Sequence, residues 1–423
     1  MIENALNQFT KNIFVCLTGE ESDKKGLLIK KHNENLQTHG EFSFPSSIKS
    51  WHEFAISEQV DDKDNLTILQ AKNKEPKYIV DESKKWNLTV QKVKEEKGRV
   101  YLFLERPPVI RVGLKEALRN NALIVQKIRE KCASVYLDSL CEGKCDITSL
   151  RTKYVCNVIK NICAIHKLNC SVFVTSKSTS RKEGCSVILC GTVLNAKTGA
   201  KESNITADEF IRIRQGEMTL IAQHKYGVRV STDSKWQEFI DHLGESAVAF
   251  ELLQTKPSGA VKINFDNCAV GSSKGASFIL YNCARLETII RTYNDKVNEG
   301  TYPVLPKFDE VDFNLLTQED EWHLIFNYIL GLPSLLDMCI DSKEQTRDFR
   351  PHHICSFLCS MVRVFSQYYR RTRILVCTLF QKLSTDTRQV CRRTKSPAPA
   401  AGGRRRRNRR AAGECAAGVV LVQ

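Results

Sequence analysis

Three groups of residues in this 423-residue chain have types and spacing suited to chemistry. Tyr281 and Arg285 stand at i and i+4, so on a helix they share a face and could offer an aromatic surface beside a cation to an unstacked base. Tyr368, Tyr369, Arg370 and Arg371 close a helical stretch with aromatic and basic groups together, a combination that single-strand recognition favours. Core packing is the competing reading for Tyr281 and Tyr368, and for Arg285 it is an ion pair with Glu287 or a nearby acid. His352-His353 beside Cys355 raises a metal or thiol centre. Adjacent helical residues point about 100° apart, however, and no carboxylate pair is set to complete a shell. We read a helix N-terminus with surface imidazoles and expect no metal.

Signatures of catalysis are missing. The sequence contains no Walker loop, no Gly-x-Ser-x-Gly elbow and no methyltransferase-like Gly-rich turn. Its 17 cysteines run from Cys16 to Cys415 without one Cys-x-x-Cys pair. Cys141/Cys145 and Cys355/Cys359 come nearest to ligand spacing, and no second pair follows at zinc-finger distance. They read as reduced, mostly buried apolar residues.

The elements that must position these side chains follow from periodicity. Val100 to Leu104 reads as a buried strand, and Arg106-Pro107-Pro108 after it as a boundary. Leu114, Ala117, Leu118, Val125 and Ile128 keep helical spacing, Ser134 to Asp138 reads as a strand, and Val155, Val158, Ile159, Ile162 and Ile165 share one face of a second helix. This order is α/β grammar. Cys185 to Leu194 is strand-like, and Thr206 to Glu209 has capping-box spacing before a short helix. Further on, Ile279, Cys283, Leu286, Ile290 and Tyr293 form one helical stripe. Thr317 to Asp320 caps a helix bearing Trp322, Ile325, Phe326, Ile329 and Leu330. A third helix runs from Ile354 through Phe357, Met361 and Phe365 to Tyr369. The three predict an all-α bundle from about residue 275.

With 42% hydrophobic and 26% charged residues, the chain is globular and large enough for two or three domains, which excludes a disordered, fibrous or membrane-embedded protein. The apolar stretch from Leu324 to Ile340 is broken by Pro333 and Asp337 and falls short of the ~20 residues a bilayer span needs. The first twenty residues, with Glu3, Lys11 and no long apolar core, carry no secretory signal. We expect no membrane association and a cytoplasmic location, with the nucleus as a second compartment. The net charge of +15 is concentrated at one end. From Arg370 to Gln423 fourteen basic residues face only Asp386 and Glu414, so twelve of the fifteen charges lie there. Residues 1 to 369 are therefore near neutrality, and a nucleic-acid site among them must be a local patch. The tail reads as disordered and basic; a solvated or import-like segment, or a product of alternative transcript processing, competes with a nucleic-acid arm.

Gly275 and Ser277-Phe-Ile-Leu-Tyr-Asn-Cys-Ala-Arg-Leu286 resemble the entry helix of the anticodon-binding domain of arginyl-tRNA synthetases, in which a Tyr-x-x-Ala-Arg core recurs. The likeness continues through Glu321-Trp322, Leu332-Pro333, Pro351-His352-His353-Ile354 and Phe365 to Tyr369, about a hundred residues in order. Upstream, Gly244 to Leu253 and Ile263 to Asn267 resemble that family's connection between catalytic and anticodon-binding domains. Glu299-Gly-Thr-Tyr-Pro303 to Trp322 adds a likeness to the non-catalytic relatives of these enzymes.

The resemblance implies an α/β, degenerate class I synthetase-like portion followed by an all-α DALR-type anticodon-binding helical bundle. The segments expected are 1–110 (an N-terminal α+β region), 111–245 (synthetase-like), 246–373 (anticodon-binding) and 374–423 (basic tail). It carries base contact onto Tyr281, Asn282 and Arg285, to which the Tyr368, Tyr369 and Arg370 group is added. It implies arginine tRNA as client, and as partner a tRNA methyltransferase of the methyltransferase-like two type, which makes 3-methylcytidine in the anticodon loop.

Two departures from the family argue against aminoacylation. Asp146-Ile-Thr-Ser149 stands before Leu150-Arg151-Thr152, where the family has a His-x-Gly-His turn that stabilises the ATP phosphates. A carboxylate there repels them. Gly199 to Asn204 keeps one Lys and one Ser of the Lys-rich loop. In addition, some twenty residues between His166 and Cys185 are too few for the rest of a nucleotide-binding fold. No catalytic residue and no cofactor are expected. A reduced synthetase and an interaction module without RNA specificity remain the alternatives. The family's closing helix after Tyr369 is also absent, for which Val376, Leu379, Phe380 and Leu383 are a candidate substitute.

Overall fold

The computed structural model describes residues 2–21, 28–54, 66–130, 134–226, 234–265, 274–343 and 346–372. The basic tail and the substitute helix at Val376 to Leu383 lie outside the described residues.

In chain order the helices are α1 (Ala5–Thr18), α2 (Leu36–His39), α3 (Ile68–Ala71), α4 (Lys77–Ser83), α5 (Arg106–Glu130), α6 (Ser139–Glu142), α7 (Ile147–His166), α8 (Ala207–Tyr226), α9 (Ser234–Leu253), α10 (Lys274–Asn298), α11 (Glu319–His323), α12 (Gly331–Met338) and α13 (His352–Arg371). The strands are β1 (Lys30–Lys31), β2 (Phe42–Pro45), β3 (Val90–Glu96), β4 (Arg99–Leu104), β5 (Val135–Leu137), β6 (Val172–Thr175), β7 (Ser186–Leu189), β8 (Val193–Asn195), β9 (Val261–Ile263), β10 (Ile340–Lys343) and β11 (Thr346–Phe349). The chain divides into two compact units, each discontinuous in sequence. One holds Met1–Ile2, Asn121–Glu287 and Leu335–Ser366, the other Glu3–Asn120, Thr288–Ser334 and Gln367–Gln423.

The unit containing Glu3–Asn120 is built on an antiparallel sheet in the order β1-β2-β4-β3. β4 alternates, with Val100, Leu102 and Leu104 buried between half-buried neighbours, the period-two pattern of a sheet with one face on a core. α1 lays Phe9, Ile13, Phe14 and Leu17 against that core, and Val311, Phe313, Trp322, Ile325, Phe326 and Leu330 complete it. Segments two hundred residues apart thus share one core, unlike the consecutive segments expected. The strand Val100 to Leu104 does close before Arg106-Pro107-Pro108, as read, and the Pro pair then lies in the first turn of α5, where a missing N–H costs nothing.

The other unit has a parallel sheet β5-β6-β7 and a parallel pair β8-β9. The apolar run from Cys185 to Leu194 is therefore two strands in separate sheets, parted at Gly191. A Cβ on Gly191 would meet the carbonyl oxygen of Gly259 at 2.4 Å, so the two backbones touch. Arg151, fully buried, ties this approach together. Its Nη1 donates to the carbonyls of Gly191 (2.6 Å) and Gly259 (2.7 Å), its Nη2 to Lys256 (3.0 Å) and its Nε to Leu252 (3.1 Å). α8 is a full twenty residues long, longer than the short helix expected. Its capping box is as read: Glu209 accepts from the Thr206 N–H (2.8 Å), and the Thr206 hydroxyl accepts from the Glu209 N–H (3.2 Å).

Among the described residues from 274 to 372 the chain is largely helical, as the periodicity predicts, with two additions. A hairpin, β10-β11, stands between α12 and α13. The apolar run after α11 continues as a π-helical segment, Leu324–Ile329. The N-cap of α11 is Gln318 with Glu321, one residue later than read, because Glu321 rather than Asp320 reaches back to the Gln318 N–H (2.9 Å).

Candidate nucleic-acid interface

α10 carries the first group of predicted residues. Its buried positions are Ala276, Ile279, Asn282, Ile289 and Tyr293. Cys283, assigned to the apolar stripe, is exposed, and the polar Asn282 takes the inward place at 1% exposure. Its amide Nδ2 donates to the Phe278 carbonyl (2.8 Å), and its Oδ1 accepts from Arg285 Nη1 (3.2 Å). The guanidinium of Arg285 lies 4.6 Å from the Tyr281 ring centroid, and Nη2 donates to the Tyr281 hydroxyl (2.8 Å). Tyr281 is 40% exposed. Arg285 thus reaches back one turn to two neighbours, clamped by a buried amide and stacked on an exposed ring, so aromatic face and cation are held in fixed relation.

The second group ends α13, in the other unit. Tyr368 is 1% exposed and donates its hydroxyl to Glu321 Oε1 (3.1 Å). Burial, reinforced by that carboxylate, pushes its phenol well above the usual range. Tyr369 is half-buried and Arg370 exposed. Arg371 pairs with Asp320 at 2.8 Å and the Thr372 hydroxyl donates to Gln318 (3.0 Å), which pins the end of α13 on the N-terminus of α11. Of the six predicted residues, Tyr281, Arg285, Tyr369 and Arg370 therefore have exposed or half-exposed surface, while Asn282 is buried against Arg285 and Tyr368 is buried against Glu321.

The imidazoles of His352 and His353 stack at 4.3 Å and 30°, closer than their helical spacing suggests. The first turn of a helix leaves room for both rings on one side. Nδ1 of His352 is buried without a hydrogen-bond partner, and burial followed by the neighbouring His353 lowers its pKa. Among the described residues no three His, Cys, Asp or Glu side chains could hold a metal ion, and no helix is long and apolar enough to cross a membrane. Of the twelve described cysteines six are buried; burial pushes the thiol of Cys190 up to about 12 and that of Cys339 to about 11, so neither is a nucleophile near neutrality.

Asp146 is the N-cap of α7. Its carboxylate accepts from the Ser149 N–H (3.1 Å) and hydroxyl (2.7 Å). Burial works to raise its pKa, but those bonds and the nearby Lys201 and Lys144 outweigh it and hold the group ionised. Glu202, 4% exposed, accepts from the Asn195 amide (2.8 Å) and the N–H groups of Asn204 (2.8 Å) and Ile205 (3.2 Å). The start of α7 and the 199–204 loop thus each bond a carboxylate of the chain itself.

A cluster absent from the sequence reading lies on the outer face of the β1-β2-β4-β3 sheet. The rings of His32, His39 and Tyr101 lie 5.7 to 6.2 Å apart, and Arg99 donates to the Ser43 hydroxyl beside His32. Strand pairing across seventy residues assembles it, which no local pattern signals.

A family model described as the DALR anticodon binding domain matches residues 279–379, a span holding all six predicted residues. Two curated proteins named DALR anticodon-binding domain-containing protein 3 are similar. That of Rattus norvegicus is 32% identical over 191 residues, 44% of this chain and 35% of that protein. That of Danio rerio is 30% identical over 284 residues, 62% and 50% respectively. An arginine–tRNA ligase of Syntrophotalea carbinolica is 28% identical over 141 residues, 33% of this chain and 23% of the ligase. The chain thus spans half the length or less of the curated relatives it matches. This chain carries a DALR anticodon-binding domain in residues 279–379 and is a relative of the proteins named for that domain and of arginine–tRNA ligase.

Proposed function

We propose that the chain is a non-catalytic tRNA-binding protein that recognises arginine tRNAs through α10 and the end of α13 and presents them to a tRNA methyltransferase of the methyltransferase-like two type for 3-methylcytidine formation in the anticodon loop. The observation that carries the RNA reading is the Tyr281–Arg285 pair, stacked at 4.6 Å and exposed within the matched domain. An exposed ring gives an unstacked base a π-face, and the cation beside it meets a phosphate or a base edge. On this reading Tyr369 and Arg370 add a second contact, with Asn282 and Tyr368 as supports. Arginine-tRNA specificity, the methyltransferase and the cytoplasmic location rest on the family resemblance. The non-catalytic reading is supported by Asp146 and Glu202, whose carboxylates stand in the segments that the resemblance assigns to phosphate binding and repel a nucleotide.

The test is binding of arginine tRNA and of an unrelated tRNA to the full chain at physiological salt, for wild type and Arg285→Ala. The basic tail contributes equally to both RNAs, so the preference between them isolates the anticodon reader. We expect arginine tRNA to bind at least tenfold tighter and Arg285→Ala to remove most of that margin. Equal binding by the wild type overturns the reading. Arginine-dependent ATP–pyrophosphate exchange would overturn the non-catalytic part alone.

A further inference from the structure

The outer face of α13 carries one sign of charge. Over its twenty residues the helix holds no Asp or Glu. Ser356, Ser360, Arg363, Gln367 and Arg370 recur at steps of four and three, which puts them on one side of the helix, and all are exposed. The opposite side is buried through Cys355, Val362, Phe365 and Tyr368. Arg363 and Arg370 are two turns apart, about 10 Å along the axis.

Other arginines of the fold are engaged: Arg106 pairs with Glu319, Arg119 with Glu3 and Arg350 with Asp341. Among the described residues Arg363 and Arg370 have neither a hydrogen-bond nor an ion-pair partner. A guanidinium is a planar fork of donors matched to a carboxylate or a phosphate, and nothing within the fold uses these two. Arg370 stands in the last turn, where the helix dipole favours a cation, but Arg363 lies mid-helix and gains nothing from it.

The chemistry of the face decides between partners. No large apolar side chain of α13 is exposed, so a protein partner would find no interface core. Guanidinium, hydroxyl and amide groups are those that meet phosphate and sugar oxygens. Residues 1 to 369 are near neutrality, so RNA is not gathered by the field of the whole fold and needs a local row of cations such as this one.

We propose that the outer face of α13 binds the sugar–phosphate backbone of the tRNA, with Arg363 and Arg370 each meeting a phosphate and Gln367 between them. The contact is indifferent to sequence: α13 positions the RNA, and Tyr281 with Arg285 reads it. The inference rests on the tRNA reading and adds Arg363 and Gln367 to the residues that carry it.

Binding of arginine tRNA and of an unrelated tRNA is measured on the full chain between about 50 and 200 mM salt, for wild type, Arg363→Ala, Arg363→Lys and Arg129→Ala. Arg129, on α5, is exposed and likewise without a partner among the described residues, so its replacement removes the same charge elsewhere. We expect Arg363→Ala to weaken both tRNAs by one common factor, about threefold to tenfold, and to lower the slope of log affinity against log salt by about 1. Arg363→Lys should keep most of the affinity, because an ammonium meets a phosphate as a point charge, and Arg129→Ala should change neither quantity. Arg363 is exposed, so the melting curves of its variants should match that of the wild type. Unchanged affinity in Arg363→Ala overturns the proposal. So does an equal loss in Arg129→Ala, which would assign the effect to net charge, and so does a narrowed preference for arginine tRNA in Arg363→Ala, which would make Arg363 a base reader. A wild type without any preference sinks the arginine-tRNA reading alone, since a slope lowered by Arg363→Ala would still support backbone binding by α13.

Discussion

Lys31 shows how strongly a single environment acts on a charge in this fold. Its ammonium lies 4.7 Å from the Phe326 ring centroid and donates to Asn327 (3.3 Å). Burial drives its pKa from the ordinary 10.5 to about 8. The folded value is the lower one, so between about pH 8 and 10.5 the unfolded chain binds more protons, and stability rises with pH across that window. Below it both states are charged and the native state carries the full desolvation cost. Lys31→Met should therefore stabilise the protein most at pH 7, by up to about 3 kcal/mol, and the advantage should shrink towards pH 10. Melting curves of both proteins at the two pH values check this; an advantage independent of pH would assign the effect to packing. Nothing in the local sequence flags Lys31, since its burial is created by Phe326 and Asn327, almost three hundred residues away. Tyr281 and Arg285 are the opposite case: their i, i+4 spacing alone brings them together. Asn282 was placed among them by resemblance, but no rule of periodicity expects an amide in the inward place where Cys283 stood in the sequence stripe.

At the scale of elements, helices were the most legible part, because an apolar face recurs every three or four residues whatever it packs against. What periodicity does not state is the partner or the closeness of approach. α8 and α9 illustrate this. A Cβ on Gly244 of α9 would meet the N and Cα of Gln215 on α8 at 2.9 Å each, a backbone contact that cannot swing away. Gly216, one residue along α8, has nothing within 4 Å of its Cβ position. Alanine relieves a helix of about 1 kcal/mol of glycine cost at either site, whereas overpacking costs about 1–3 kcal/mol. Gly216→Ala should raise the stability read from chemical denaturation by about 1 kcal/mol, and Gly244→Ala should lower it by up to about 2 kcal/mol. The same gap between pattern and partner explains the other departures. Cys185 to Leu194 is apolar throughout, yet its halves join different sheets, because only the contact of Gly191 with Gly259 decides where the run breaks. The Pro pair reads locally as a stop, and in the fold it also opens α5.

For the whole molecule, the consequential feature is that sequence-distant segments share one core. Phe42 on β2 meets Phe326 edge-on at 5.9 Å, and the Trp322 indole donates to the buried Glu41 carboxylate at 2.8 Å. That carboxylate also accepts from the Leu104 N–H (2.8 Å). Burial raises its pKa against the pull of these two bonds, so it depends on both donors. The N-terminal sheet therefore should not be an independently stable module followed by a separate anticodon-binding one; its stability is fixed partly by residues 311–330. Phe326→Ala tests this, since truncating a fully buried aromatic costs about 3–5 kcal/mol. If the core is shared, hydrogen exchange at Val100 and Leu102 on β4 should accelerate together with exchange at Ile325 and Leu330, by the same free energy, because all open in one cooperative step. Acceleration confined to residues near 326 would mean that the sheet holds its own core, and the contiguous segments read from the sequence would then be the true folding units.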